Sequence, residues 1–172
     1  TSDFSVVKSS ASLSTGPLGI GGDGSTIWHS DVDSEKVYEL STSDFSVVRS
    51  SASPSYYGIG GDGSTIWHSD SYNEKVYELS TSDFSVVRSS DSPSYDTSGI
   101  GGDGSTIWHC DSDEAKVYEL STSDFSVVRS SPSPYSHPQG IGGDGSTIWH
   151  NDNYSNKVYE ILTVGSFVKV TS

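Results

Sequence analysis

The chain has 172 residues, enough for one domain with a real core, and 9 Lys plus Arg against 23 Asp plus Glu set its formal net charge at −14. So acidic a surface repels phosphate backbones and anionic lipid, which argues against nucleic acid or bare membrane as partners; it also suits solubility and attracts cations. No apolar run is long enough to insert in a bilayer, and a single cysteine, Cys110, leaves no internal disulfide to form.

Internal repetition organises everything else. The segment GIGGDGSTIWH begins at Gly19, Gly58, Gly99 and Gly140, a period of 39 to 41 residues. Taken in chain order, each unit opens with a glycine-rich run, followed by Asp-Gly and STIWH. A six-residue polar stretch, KVYEL (once KVYEI), STSD and FSVVRS follow. The apolar positions are β-branched or aromatic, and no helical period persists. Four short strands per unit are expected, around Gly19–Gly22, Thr26–Ser30, Lys36–Leu40 and Phe45–Arg49 in the first unit. Asp23-Gly24 and its copies are the strongest hairpin signal, read as a turn with positive φ at both positions.

A four-stranded meander cannot bury both faces by itself, so near-identical meanders must cover one another. Near-identical sequences also ask for near-identical surroundings, which rotation about an axis supplies. The expected fold is all-β: a β-propeller of four near-identical, four-stranded antiparallel blades of about 40 residues each. One domain would span residues 1–172, with repeats 9–49, 50–88, 89–129 and 130–172. The alternative, a parallel β-helix, has shorter coils and lacks Asp-Gly hairpins. The first-strand glycines suit the crowded axis, and Trp28, Trp67, Trp108 and Trp149 suit wedges between blades.

The pattern carried by Pro17, Gly19, Ile20, Asp23, Gly24, Trp28, Asp31, Val37, Tyr38 and Val47 resembles the blade repeat of the YVTN, NHL and SMP-30-like propellers. The resemblance covers essentially the whole chain and implies the blade, not an activity, because such blades serve binding, scaffolding and a few enzymes. This chain departs from that group in blade number, which there is usually six or more.

The fourth-strand sequence occurs five times, at Phe4, Phe45, Phe84 and Phe125 and, degraded, at Ser166–Val170. The N-terminal copy is nearly perfect. Residues 2–8 are therefore expected as a surplus outer strand beside Lys157–Ile161, closing the ring or pairing with another chain.

In an up-and-down blade the four connections alternate between two rims. The turns after the first and third strands are constant, whereas those after the second and fourth vary. Six of the ten tyrosines, Tyr56, Tyr57, Tyr72, Tyr95, Tyr135 and Tyr154, fall in the variable stretches among Ser, Asp, Asn and Pro. Rigid amphipathic rings with small hydrogen-bonding neighbours suit a binding surface for a protein or glycan. Neutral drift in tolerant turns is the competing reading; it accounts for the variability but not for the tyrosines or the constancy of the opposite turns.

The repeated His29, His68, His109 and His150 follow the tryptophans and are read as hydrogen-bonded packing residues rather than metal ligands. Asp31, Asp33 and Glu35, like Asp111, Asp113 and Glu114, allow at most a weak surface calcium site, lacking a central glycine and late bidentate Glu. No cofactor is otherwise expected. Cys110 occupies the position of Ser30, Ser69 and Asn151 and reads as a drifted serine. Catalysis needs unlike groups in one pocket, and a fourfold repeat supplies one group four times. The expected function is thus a non-catalytic recognition or assembly module, not an enzyme. A lectin-like propeller with one site per blade and a strand-linked homo-oligomer are the alternatives. The chain has no methionine and reads as a trimmed product; an extracellular or cell-surface setting is favoured.

Overall fold

A computed structural model describes residues 5–54, 57–164 and 167–170. It contains four antiparallel sheets of four strands, arranged as a four-bladed β-propeller without helices among the described residues. The first blade comprises β1 (Pro17–Gly22), β2 (Thr26–Asp31), β3 (Lys36–Ser41) and β4 (Val47–Ala52). The second comprises β5 (Ile59–Gly61), β6 (Thr65–Asp70), β7 (Lys75–Ser80) and β8 (Val86–Asp91). The third comprises β9 (Thr97–Gly102), β10 (Thr106–Asp111), β11 (Lys116–Ser121) and β12 (Val127–Pro132). The fourth comprises β13 (Pro138–Gly143), β14 (Thr147–Asp152), β15 (Lys157–Val164) and β16 (Phe167–Val170).

The first strands lie innermost, with β1 against β5, β5 against β9 and β9 against β13. Their glycines are needed there. A Cβ on Gly60 would stand 2.8 Å from the Ile100 carbonyl oxygen, and one on Gly101 2.8 Å from that of Ile141. These are distances that real Cβ atoms do not reach, so any larger residue would push the blades apart.

The apolar core is not central but divided among the seams. Trp28 packs with Ile59, Ile66, Leu79 and Phe84 of the second blade. Trp67 packs with Ile100, Ile107, Leu120 and Phe125 of the third, and Trp108 with Ile148 and Ile161 of the fourth. These three tryptophans are therefore wedges, as their spacing suggested.

Two local expectations are corrected. Positive φ falls on Gly24 and its copies but not on Asp23. Asp23 instead caps the hairpin, its Oδ1 accepting N–H bonds from Ser25 (2.8 Å) and Thr26 (2.7 Å). A glycine alone at the first central position is the type II′ pattern. The fourth strand begins at Val47, not Phe45. Phe45, Phe84 and Phe125 sit in the preceding turn with φ of 61°, 63° and 62°, a conformation that costs a bulky residue roughly 1–2 kcal/mol. Contacts between blades hold them there.

The expected in-chain clasp does not form among the described residues. Residues 5–8 take no strand, residues 2–4 lie outside the described set, and the last blade takes its fourth strand from β16. The reason is geometric. The seam between the fourth and first blades stands open, with Ile20 and Trp149 exposed, and β16 occupies the Ile161–Val164 end of the β15 edge.

Candidate functional site

The two rims are built differently. On the constant rim the fourth strands of the first two blades each send an arginine to the next blade. Arg49 bonds Glu39 of its own blade at 2.5 Å through Nε, and its Nη atoms donate to the carbonyls of Thr81 and Ser82. Its guanidinium lies over the Phe84 ring, 4.6 Å from the centroid. Arg88 repeats this with Glu78, Thr122, Ser123 and Phe125. The turn itself is tied by Asp44, whose carboxyl the Ser46 hydroxyl and N–H hold at about 2, well below the usual value. The turn residues thus serve a cation–π clamp between blades, which accounts physically for their constancy.

On the variable rim the second–third turns are held from within the blade. The carboxylates of Asp31, Asp70, Asp111 and Asp152 are buried and accept N–H bonds from their own turns, for example Tyr72 and Asn73 on Asp70, each at 2.9 Å. Burial raises the Asp31 carboxyl, but bonds from Ser14 and Ser34 outweigh it and leave the group below its ordinary value. Framework tyrosines brace the same turns. Tyr118 donates to Glu114 at 2.6 Å, and burial together with that carboxylate pushes its phenol up. Asp31 and Asp111 are therefore spent on turn capping, whereas Asp33 and Asp113 are exposed. Among the described residues no group of three or more His, Cys, Asp or Glu is gathered to hold a metal ion.

Two of the tyrosines, Tyr72 and Tyr154, project outward from these braced turns, and Tyr95 and Tyr135 project from the connections into the third and fourth blades. Tyr72, Tyr95, Tyr135 and Tyr154 are all exposed; Tyr154 also stacks on His137, with centroids 3.8 Å apart. Tyr57 is half-buried at the channel mouth, and Tyr56 lies outside the described residues. The five described are thus divided: one lines the axial cavity and four stand on the surrounding turns and connections.

That cavity, about 430 Å³, opens at the same rim. Its mouth is ringed by Leu18, Tyr57, Ser98 and Gln139, the residues immediately before each glycine run, with Asn151 and Asn153 beside them. Sequence reasoning passed over this ring. The signal was present: one position that differs in every repeat directly abuts a segment that never differs.

The histidines are buried packing residues. His29, His68 and His109 donate Nδ1–H to the carbonyls of Gly19, Gly58 and Gly99 at 2.9, 2.6 and 3.0 Å. Burial lowers His109 to about 4, keeping it neutral. Cys110 fills the Ser position that bridges neighbouring first strands. Ser30 Oγ donates to the Tyr57 carbonyl at 2.6 Å, and Cys110 Sγ to that of Gln139 at 3.4 Å. Burial pushes this thiol up to about 11, so it is not a nucleophile.

No family model and no curated protein matches the chain. Among solved structures it resembles an inactive variant of virginiamycin B lyase from Staphylococcus aureus, solved with quinupristin. The TM-score is 0.66 at 20% identity, over 90% of this chain and 54% of that one. It is also similar to Myxococcus xanthus glutaminyl cyclase, with TM-score 0.70 at 12% identity over 91% of this chain and 74% of that one. For BamB from Moraxella catarrhalis the TM-score is 0.60 at 12% identity, over 90% and 49%. The chain spans about half the length of the lyase and BamB. At these identities the likeness establishes the propeller fold, and that fold houses both enzymes and other proteins.

Proposed function

We propose that the chain is a non-catalytic recognition or assembly module that meets a partner on the variable rim. The observation that carries this reading is the outward projection of Tyr72 and Tyr154 from turns braced by buried aspartates, with Tyr95 and Tyr135 exposed on the neighbouring connections of the same rim. Braced loops with rigid aromatic tips lose little entropy on binding. The axial mouth supports a non-catalytic role: its lining offers Leu, Tyr, Ser, Gln and Asn but no carboxylate, imidazole or amine. A glycan partner would have to use the tyrosines or Trp149, because Trp28, Trp67 and Trp108 are buried in seams.

Selection of displayed peptides on the immobilised protein tests this, with the Y72S/Y95S/Y135S/Y154S variant as comparison. Peptides enriched on the parent and lost on the variant are the expected result. Equal enrichment on both would refute the rim. Glycan-array binding that survives in the variant would move the reading to a lectin with another site.

A further inference from the structure

The two end blades carry the unmatched halves of a contact that the chain makes three times internally. Trp28, Trp67 and Trp108 each enter the next blade, and Trp67 is 2% exposed. Trp149, the fourth copy, is 42% exposed. On the first blade the matching socket is open. Ile20 is 73% exposed where Ile59 is 2%, and Ile27, Leu40 and Phe45 are only partly covered. These residues line a cavity of about 290 Å³ walled on its far side by Ser9–Leu13. A Cβ on Gly142 would meet nothing within 4 Å, unlike those on Gly60 and Gly101.

The N-terminal segment completes the pattern. Lys8 donates to the carbonyls of Thr42 and Ser43 and lies 5.1 Å from the Phe45 ring centroid. This is the clamp that Arg49 forms on the second blade. Lys8 thus stands where the fourth strand of a preceding blade would deliver its cation, but that blade's other three strands are missing. The fourth blade shows the converse. In the first three blades the fourth strand pairs along the whole third strand, with Glu39 opposite Arg49 and Val37 opposite Ser51. In the last blade β16 pairs only with Ile161–Val164, leaving Lys157–Glu160 without it. Val158 is accordingly 74% exposed where Val76 is 0%.

We infer that a second copy of this chain closes the ring, each copy lending residues 6–11 as the fourth strand of the other's last blade. The register of the first blade then sets Lys8 opposite Glu160 and Ser10 opposite Val158. Opposite charges meet where every inner blade has its Arg–Glu pair, and the single Ile161–Val170 pairing at the end of β16 gives way to Val6. Trp149 of each copy enters the Ile20, Ile27, Leu40 and Phe45 socket of the other. Two copies related by a two-fold axis satisfy both seams at once and give eight blades in all.

The test is a S10C/V158C variant with Cys110→Ser, the residue the first two repeats carry there, oxidised under native conditions. The expected species is a disulfide-linked pair at twice the 18.3 kDa chain mass, with the uncrosslinked parent sedimenting as the same pair. An internal disulfide at the mass of one chain would overturn the inference in favour of self-closure. A paired species without the disulfide would overturn the strand exchange, and a monomeric parent would overturn it altogether. Should the cysteines disturb folding, K8E and E160K serve instead. Each should weaken the pair alone, and mixing the two should restore it, because each copy then offers the charge the other lacks. A mixture that stays monomeric would equally refute the exchange. None of these readouts depends on the ligand of the variable rim.

Discussion

The constant rim is held by bonds between blades, whereas the turns of the variable rim are held by bonds within each blade. Arg88 must find Glu78, two carbonyls and the Phe125 ring at once. Any change there is felt by two blades. Asp70, by contrast, caps its own turn through Tyr72 and Asn73, and what projects beyond the cap touches little. The comparison teaches that invariance here marks assembly of the molecule, while variation marks the surface left over for something else. It also removes one argument for a binding rim. The constancy of the opposite turns needs no functional cause, so the case rests on the tyrosines.

The largest expected effect lies on the constant rim. Phe125→Ala removes a ring that is 4% exposed, seated under Arg88 and packed with Trp67, Ile107 and Leu120. Truncation of a buried Phe costs about 3–5 kcal/mol. Relief of the left-handed backbone recovers little, since alanine also disfavours φ of 62°. Urea unfolding of this variant should show that loss. A loss under 1 kcal/mol would mean the clamp is decorative and the rim's constancy is unexplained.

Between the two rims lies His109, which neither clamps nor recognises. Burial depresses its folded pKa to about 4, against 6.5 for the free side chain. The unfolded chain therefore binds the extra proton first. The contribution is present above about pH 6.5 and is lost as pH falls from there to about 4, by about 3 kcal/mol. Below that window the carboxylates take over: Asp44, held at about 2 by Ser46, contributes stability that disappears as pH falls through its own range. A series of unfolding curves should locate most of the early acid loss in the histidine window, and His109→Gln should flatten it. If the loss begins only below pH 4, the turns and not the strand interior govern acid sensitivity.

Much of this architecture was legible as text. Repetition of GIGGDGSTIWH implied equivalent blades, Asp-Gly marked the hairpins, and the tryptophan period marked the seams, because each of these depends on neighbours close in sequence or on exact recurrence. Phe45 was misplaced into a strand for the same reason. Its local propensity favours strand, whereas the turn is held by Asp44 on Ser46, by the Phe45 N–H on the Ser41 carbonyl and by Lys8 arriving over the ring from a distant part of the chain. The ring of Leu18, Tyr57, Ser98 and Gln139 was missed because its members become neighbours only around the axis, some 40 residues apart along the chain. The open seam was invisible too. Equivalent repeats dictate that blades touch, but the rotation from one blade to the next depends on how each tryptophan seats in its socket, which no single repeat encodes.

The smallest effect is the sharpest test of the difference between the rims. Tyr72, Tyr95, Tyr135 and Tyr154 stand exposed on the variable rim, so each Tyr→Ser change should alter unfolding free energy by no more than about 0.5 kcal/mol. Tyr154 is the stringent member, because its ring stacks on His137 and its N–H bonds Asp152 at 3.0 Å. The N–H bond survives the substitution; only the stack is lost, and an exposed stack adds little. If the Tyr154 variant loses as much as a constant-rim residue does, its ring is part of the scaffold. The recognition surface would then contract to Tyr72 on the turn of the second blade and to Tyr95 and Tyr135 on the connections into the third and fourth.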